Sequence, residues 1–281
     1  MASLNIAAAN LANYIPAILS KAVQSAAESM LVTGKLVDRS FESMSKAGGS
    51  TIKVPLLANI TANAVSNRQA DATLYDTMQN SITITLDQVY DIGVAIDDIT
   101  ALQTNPKYFD KVRDKLAYGL AKAVDTVVNT EFVNFSQTVG TEGSALTEDV
   151  ILSAYEYLNI ADAPAEGRAW VFDPESITDL MKIDMFVKMD YVGDAVWKTG
   201  FSGRQILGSP VYWSTNLAAN NTNYHCAAYL HKEALALCVQ MPSIFETFQL
   251  PLKHSDGILG LTVFGVEEMR DTFGVYIKTR S

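Results

Sequence analysis

Apolar and polar residues alternate strictly over residues 81–87, SITITLD. Ile82, Ile84 and Leu86 fall on one side of an extended chain, and serine, threonine and aspartate fall on the other. A period of two is the spacing of a strand with one buried and one solvated face, so this pattern predicts a strand. Residues 51–57, TIKVPLL, begin in the same alternation and predict a second strand.

A polar connection of 23 residues, 58–80, separates the two predicted strands. A connection of this length without secondary structure of its own is uncommon inside a compact domain. We therefore predict a long β-hairpin that extends away from the body of the protein. A two-stranded hairpin is marginally stable alone in water, so this one is expected to need a neighbouring surface.

The strongest helical pattern follows the hairpin, over about residues 107–134. Asn105 suits the N-cap position and Pro106 suits the first helical position. A helix of this length would extend roughly 40 Å. Its apolar positions recur at steps of three and four: Phe109, Val112, Leu116, Leu120, Ala123 and Val127, with Val124, Val128 and Phe132 beside them.

The N-terminal part of the chain carries another apolar stripe at helical spacing, between Tyr14 and Met30. A short polar stretch with paired glycines, residues 43–51, ends this segment. The first 45 residues are therefore expected to form an arm that packs on something else.

The rest of the chain alternates helices with strands. Thr147, which precedes two acidic residues, and the pair Asp173–Pro174 are typical of helix starts. Because helices and strands are mixed throughout, the predicted fold class is α+β. The predicted strands in this part are residues 168–172, 210–214, 226–230, 234–240, 260–269 and 272–279.

The chain has 281 residues, 48% of them hydrophobic, and a formal net charge of −10 at pH 7. This composition is typical of a folded protein rather than a disordered one. Phosphate backbones repel an acidic protein, so direct reading of nucleic-acid sequence is not expected. The N-terminus lacks the features of a signal peptide, and no apolar run approaches the ~18 residues that cross a bilayer. We therefore expect assembly in the cytoplasm and no membrane contact.

Residues 86–100, LDQVYDIGVAIDDIT, hold four acidic residues and no basic residue. Clustered carboxylates can perform acid–base chemistry or bind Mg²⁺, which would fit a carboxylate-dependent hydrolase that uses Asp87, Asp91 or Asp97. Acidic residues between a strand and a helix are also ordinary turn and cap residues, and this interpretation is favoured for Asp97 and Asp98. Enzymatic activity is therefore not expected.

Other possible catalytic or binding motifs are incomplete. TGKL at 33–36 lacks part of a phosphate-binding loop, and GFSGR at 200–204 has its second glycine one place too early for a nucleophile elbow. Four potential metal ligands do not have zinc-site spacing, and the two cysteines among them are predicted to pack as apolar residues. We therefore predict no cofactor and no metal. The four residues are His225, Cys226, His231 and Cys238.

Several short motifs occur in a distinctive order along the chain. They are GGSTIKVPLL (48–57), Leu86-Asp87-Gln88, Tyr90, Asp97-Asp98, Gln103, the pair Ala121 and Asp125 in the long helix, and ILGSPVYWSTNL (206–217). Their order resembles that of the major capsid proteins of tailed bacteriophages, which have the Hong Kong 97 fold. The resemblance extends over nearly the whole chain.

The resemblance implies an α+β, Hong Kong 97-like fold with five regions. The acidic residues of 86–100 would then be polar positions where a hairpin joins a spine helix, rather than an active site. The implied regions are an N-terminal arm (1–45), an extended β-hairpin called the E-loop (46–97), the P-domain region with its spine helix (98–145), the A-domain (146–237) and closing strands of the P-domain (238–281).

The resemblance also implies a function. The chain would be a major capsid protein that assembles with itself, as pentamers and hexamers, into an icosahedral head shell. That shell would enclose the double-stranded DNA of a tailed phage without sequence-specific binding, and a separate scaffolding protein and a portal would be further partners. The protein would reside in the virion capsid, assembled in the host cytoplasm. An encapsulin-like nanocompartment shell has the same fold and is an alternative function.

Contacts between subunits are expected to use the hairpin and the polar face of the spine helix. The alternative is that these residues occupy solvated surface positions, where exposed charges contribute little energy. The candidate interface residues are Arg68, Asp71 and Tyr75 near the hairpin tip, and Lys111, Arg113, Asp114 and Lys115 on the helix.

Overall fold

The computed structural model describes residues 31–45, 48–56, 62, 80–97, 107–183, 205–217, 226–250 and 255–280. These residues contain three β-sheets, of two, three and six strands. Their helices are α1 (Glu42–Ser45), α2 (Lys107–Glu131), α3 (Glu148–Ile160) and α4 (Pro174–Leu180). Their strands are β1 (Thr51–Leu56), β2 (Asn80–Thr85), β3 (Gln88–Asp97), β4 (Gln137–Val139), β5 (Arg168–Phe172), β6 (Gln205–Ile206), β7 (Ser209–Trp213), β8 (Cys226–His231), β9 (Leu235–Leu250), β10 (Ser255–Glu268) and β11 (Gly274–Lys278). The predicted α+β class is confirmed.

The two-stranded sheet is the base of the predicted hairpin. β1 and β2 pair antiparallel from Thr51↔Thr85 to Leu56↔Asn80. The alternating residues behave as predicted, because Ile84 and Leu86 are buried while the polar positions beside them face outward. Residues 57–61 and 63–79, which contain the predicted hairpin tip, lie outside the described residues.

The three-stranded sheet has the order β3-β10-β9, with both pairings antiparallel. β9 and β10 are longer than predicted, because the predicted strands end at residue 240 and begin at residue 260. The prediction stopped before Pro242, which lacks a backbone donor. β9 is an edge strand of this sheet, where a missing donor is tolerated, and the register shifts nearby between Leu261 and Phe264.

The long helix α2 lies against one face of this sheet. Leu116, Ala117 and Leu120 are buried. The strand residues that pack against them are Ile92, Val94 and Ile258. The predicted helix is confirmed, with an end at Glu131 followed by a short 3₁₀ turn at Phe132–Asn134. Its 25 residues extend about 38 Å.

The six-stranded sheet has the order β4-β11-β8-β5-β7-β6 and contains much of the apolar core. Every residue of β5 is buried. Trp170 stacks on Tyr229 with ring centroids 3.8 Å apart, and Ile151 and Leu158 of α3 are also buried in this core. Stacked aromatic rings and complete burial of the central strand make this part stable without further partners.

Strands from three of the predicted regions meet in the six-stranded sheet. β4 precedes the predicted A-domain (146–237) and β11 follows it, yet β11 pairs with both β4 and β8. The predicted region boundaries therefore do not coincide with the boundaries of the sheets, and the division into domains stays a prediction. In the part of the chain that is described, no helix is long and apolar enough to cross a membrane.

A buried carboxylate attaches the N-terminal segment to the long helix. Asp125 of α2 accepts hydrogen bonds from the Val32 backbone N–H at 2.9 Å, the Thr33 hydroxyl at 3.0 Å and the Gly34 backbone N–H at 2.9 Å. Asp125 is 1% exposed, so these donors replace water almost completely. The TGKL segment thus uses the Thr33 hydroxyl and the Gly34 N–H to bind a carboxylate of its own chain.

Two further contacts hold the same segment on the edge of β9. The Asp38 backbone N–H donates to the Leu235 carbonyl at 3.0 Å, and the Leu237 N–H donates to the Asp38 carbonyl at 2.9 Å. The Gln240 side chain then donates to the Gly49 carbonyl at 2.8 Å. The described residues of 31–49 therefore lie against the body next to the base of the predicted hairpin. The helical stripe of the predicted arm, between Tyr14 and Met30, lies outside the described residues.

Replacement of Asp125 by alanine should destabilise the fold strongly. The three donors would lose their acceptor in a buried site, and we expect a loss of about 3 kcal/mol or more in the free energy of unfolding. Chemical denaturation monitored by circular dichroism measures it. Lys122→Ala, an exposed change on the same helix, is the matched control and should cost less than about 0.5 kcal/mol. Equal denaturant concentrations at the unfolding midpoint of the two variants would contradict the role given to Asp125.

Candidate functional site

The predicted interface residues are only partly within the described residues. Asp114 and Lys115 lie on α2 and are exposed, as predicted for the polar face of the helix. Lys111 and Arg113 lie in the same helix, but their side chains are not among the described ones. The hairpin residues Arg68, Asp71 and Tyr75 lie outside the described residues. All seven remain predictions as contact residues.

The base of the hairpin packs on the first half of β9. Ile52, Val54, Ile84 and Leu86 form one apolar cluster with two small residues of β9, Ala236 and Cys238. The Leu86 backbone N–H also donates to the Ser50 carbonyl at 2.9 Å, which closes the base of the hairpin. The hairpin is therefore attached to the body by apolar burial on one face of its two strands.

The hairpin also crosses β10 at very short distance. A Cβ placed on Gly265 would lie 2.1 Å from the Thr85 carbonyl oxygen and 3.1 Å from Leu86 Cδ2. Real Cβ atoms do not approach a carbonyl oxygen that closely, so a side chain at residue 265 would displace the end of β2. The glycine thus determines how closely the hairpin crosses the sheet, and with that the direction in which the hairpin leaves the body.

Cys238 is part of this packed base and not a reactive group. Burial, with added negative charge from Glu42 and Asp38, raises the pKa of the Cys238 thiol to about 11. The thiol therefore stays protonated near neutral pH, and thiolate is the form that acts as nucleophile and metal ligand. This agrees with the prediction that Cys238 packs as an apolar residue.

Of the other three potential metal ligands, only the side chain of His231 is among the described ones. His231 uses both ring nitrogens on backbone groups, with Nε2 2.9 Å from the Glu166 carbonyl and Nδ1 3.3 Å from the Glu233 N–H. The side chain of Cys226 and the whole of His225 lie outside the described residues. No three His, Cys, Asp or Glu side chains of the described residues lie close enough together to hold a metal ion.

Two of the four acidic residues of 86–100 have described side chains, Asp87 and Asp91, and both are exposed. Asp87 is exposed in the break between β2 and β3, where its carboxylate accepts from the Gln88 side chain at 3.0 Å. Asp91 is exposed on β3, and Asp97 is the last residue of that strand. Residues 86 and 87 separate β2 from β3, so the alternation of side chains along β3 cannot be extended back to Asp87. Asp98 lies outside the described residues, and these positions do not support a shared catalytic centre.

The face of the three-stranded sheet opposite the long helix is apolar and exposed. Directly paired residues of an antiparallel sheet project from the same side, and the pairs Gly93↔Leu259, Asp91↔Leu261 and Gly257↔Phe248 share this side. We call it the outer sheet face. Four of its large apolar side chains are 38–59% exposed: Val89, Phe248, Leu259 and Leu261.

Two acidic side chains lie among these apolar residues. Asp91 pairs with Leu261 and Glu246 pairs with Leu259, and both acids are exposed. A continuous set of exposed aliphatic and aromatic side chains on a sheet is typical of a protein–protein contact surface. Sequence reasoning missed this surface because Leu259 and Leu261 alternate with small or polar residues as core residues do.

The described fold closely matches solved virus shell structures, although no protein-family model and no curated protein sequence matches the chain. A structure from Mycobacterium phage Che8 matches with a TM-score of 0.72 and 23% identity, covering 88% of this chain and 90% of that one. The capsid structure of cyanophage P-SCSP1u matches with a TM-score of 0.65 and 16% identity, covering 83% and 84%.

A third match is a virus-like particle from Pyrococcus furiosus, with a TM-score of 0.59 and 10% identity over 92% of this chain and 97% of that one. In each case the similarity spans more than four fifths of both chains. The chain has the α+β, Hong Kong 97-type fold of tailed-phage capsid proteins.

Proposed function

We propose that this chain is a major capsid protein that assembles with itself into the head shell of a tailed phage. The observation that carries the proposal is the match in fold to the Che8 and cyanophage structures over more than four fifths of each chain. Fold alone does not determine function. The outer sheet face therefore adds an independent argument, because it is an exposed apolar surface that a second subunit would cover.

The proposed occupant of the outer sheet face is the hairpin of a neighbouring subunit. A hairpin anchored only at its base has little core of its own and is stabilised by a covering surface. Its stretch 58–80 contains a single basic residue, Arg68, which complements Asp91 and Glu246 on the outer sheet face. Asp71 and Tyr75 of the hairpin, and Lys111, Arg113, Asp114 and Lys115 of the long helix, remain proposed contacts at the same or adjacent interfaces.

Repetition of one such contact leads to a closed shell. A contact between two different surfaces of the same chain is head-to-tail, and it forms rings where the rotation between subunits closes. The proposal therefore includes pentamers and hexamers, an icosahedral shell in the virion and assembly in the host cytoplasm. A portal and a separate scaffolding protein follow from the family resemblance. The net charge of −10 suits a container that encloses DNA without binding it tightly.

The two alternative functions are less well supported. An encapsulin-like nanocompartment shell would share the fold, but no separate observation on this chain favours it. A carboxylate-dependent hydrolase would use Asp87, Asp91 or Asp97. The separate, exposed positions of Asp87 and Asp91 do not favour this role.

A charge on the outer sheet face should prevent assembly without unfolding the subunit. Leu261 is 38% exposed, so Leu261→Asp should change the free energy of unfolding by less than about 1 kcal/mol. The same carboxylate buried against a neighbour would be unpaired and costly. We expect sedimentation velocity to show at least a roughly tenfold loss of assembled material.

Leu152→Asp is the matched control for this variant. Leu152 lies on α3, away from the outer sheet face, and is 39% exposed. This variant should assemble as the parent chain does. Normal assembly of Leu261→Asp, or equal loss in both variants, would remove the outer sheet face from the proposal.

Deletion of residues 59–79 should prevent assembly without unfolding the body of the subunit. The deletion leaves the described strands β1 and β2 intact, so the body should keep its circular dichroism spectrum and its cooperative unfolding. Negative-stain electron microscopy should show shells, tubes or sheets for the full chain and dispersed subunits for the deleted one. A full-length chain that stays monomeric under all assembly conditions would contradict the proposed function.

A side chain at residue 265 should alter both stability and assembly. Gly265→Ala forces the end of β2 away from β10, and overpacking of this kind costs about 1–3 kcal/mol. The hairpin would also leave the body in a changed direction, so electron microscopy should show fewer or misshapen particles. Ala165→Val adds volume at an exposed position outside this sheet and serves as the control. Regular particles from Gly265→Ala would show that this close approach does not set the hairpin direction.

A further inference from the structure

Four lysines and one tyrosine recur along one line of the long helix α2. Lys107, Lys111, Lys115, Tyr118 and Lys122 are separated by steps of four, four, three and four, and residues three or four positions apart lie on the same face of a helix. Lys115, Tyr118 and Lys122 are exposed, while the side chains of Lys107 and Lys111 are not among the described ones. We call these five positions the lysine stripe.

The charge of this part of the helix is opposite to that of the whole chain. Residues 107–122 contain five basic and two acidic residues and so have a net charge of +3, whereas the chain has a net charge of −10. One of the acidic residues, Asp114, is exposed next to the stripe. Neither Lys115 nor Lys122 forms an ion pair with a described residue. Their positive charges are therefore available to another molecule.

The opposite face of α2 fixes the position of the stripe. Leu116, Ala117 and Leu120 are buried against the three-stranded sheet. A Cβ placed on Gly119 would lie 2.6 Å from Cδ1 of Ile92, so the helix backbone comes very close to β3 at this point. The stripe therefore projects from a helix that is held on the sheet along the same stretch of chain.

An exposed aromatic ring lies between the lysines. Tyr118 is 49% exposed, and in the described part of the chain it has neither a hydrogen-bond partner nor a ring partner. Tyrosine hydroxyls donate to phosphate oxygens, and aromatic rings lie against sugars and bases. Lysines interleaved with an aromatic residue are typical of surfaces that follow a nucleic-acid backbone.

The composition of the stripe favours nucleic acid over a second protein as its partner. The buried centres of protein interfaces are apolar and depleted in lysine, and the outer sheet face has that apolar character whereas the stripe has no aliphatic residue. From its first to its last position the stripe is roughly 22 Å long. A DNA duplex carries one negative charge per roughly 1.7 Å of its axis, so several phosphates lie within this length.

We propose that the lysine stripe is a contact surface for the phosphate backbone of duplex DNA and that it does not read sequence. Lys115 and Lys122 each neutralise a phosphate, and release of condensed counterions supplies the free energy of binding. At about 0.1 M salt the Debye length is about 10 Å, so distant acidic residues weaken this contact without cancelling it. The choice of DNA rests on the proposed function, in which the shell encloses DNA.

Fluorescence anisotropy with a labelled DNA duplex tests the proposal. The full-length chain is titrated, as unassembled subunits, into a mixed-sequence duplex of about 30 base pairs at salt concentrations between about 50 and 200 mM. Affinity should fall by roughly tenfold or more over this range, as expected for two or more phosphate contacts. Absence of binding at the lowest salt concentration would overturn the proposal.

Paired substitutions test whether the stripe is the site of binding. Lys115→Gln together with Lys122→Gln should weaken binding at least roughly tenfold at the lowest salt concentration and reduce the slope of log affinity against log salt by about 1.8. Lys53→Gln together with Lys232→Gln removes the same charge from exposed positions elsewhere and is the matched control. This control should bind as the parent chain does. Unchanged binding in the stripe variant, or equal weakening in both, would overturn the proposal.

Electron microscopy of the stripe variant separates DNA contact from subunit contact, for which Lys111 and Lys115 are also candidates. Regular shells from a variant that has lost duplex binding would support the proposal. Loss of shells with unchanged duplex binding would show that the partner is an acidic surface of a neighbouring subunit, and would overturn it. Because binding is measured on subunits, a parent chain that binds the duplex but never forms shells would contradict the proposed function alone.

Discussion

The close approach between the hairpin and the three-stranded sheet is the constraint on which the arrangement of the molecule depends. At Gly265 the end of β2 lies almost directly on the backbone of β10, and beside it Ala236 and Cys238 leave room for the apolar side of the hairpin. A larger side chain at any of these positions would push the hairpin outward. The same strand, β9, accepts a bond from the Asp38 N–H and donates one to the Asp38 carbonyl, so residue 38 and the base of the hairpin are both held against one strand. Small residues therefore determine the direction of the hairpin.

The chain distributes its apolar residues in two ways. In the six-stranded sheet, Trp170, Tyr229 and their neighbours are completely buried, and this core is satisfied within one chain. In the three-stranded sheet, one face is covered by the long helix while Leu259 and Leu261 of the outer sheet face remain half exposed. Apolar surface that folding leaves exposed can only be removed from water by another molecule. The incomplete burial of this sheet is therefore what the proposed shell function requires, because a neighbouring subunit would cover the exposed residues.

Sequence patterns predicted those elements in which buried and exposed residues alternate at a regular spacing. The alternation at residues 81–87 predicted a strand with one solvated face. The apolar residues that recur every three or four positions predicted the apolar side of α2. The full lengths of β9 and β10 could not be predicted, because Pro242 resembles a strand end and tolerance of it depends on β9 being an edge strand. The contacts of Asp125 could not be predicted either, since Gly34 lies 91 positions away. The outer sheet face had no separate signal, because an exposed Leu261 and a buried leucine look alike in sequence.

A shell built from one repeated chain needs fixed contact surfaces and some freedom between them. Subunits around fivefold and sixfold axes make nearly the same contacts at slightly different angles, so the adjustment must occur where it does not disturb those contacts. The hairpin base is unsuited to this adjustment, because Gly265 and the β9 cluster allow one arrangement. The two short connections between the three-stranded and six-stranded sheets, residues 232–234 and 269–273, are better suited to it. The Met269 N–H donates to the Ala234 carbonyl and the Ser136 N–H donates to the Asp271 carboxylate there, so hydrogen bonds rather than a packed apolar cluster join these segments.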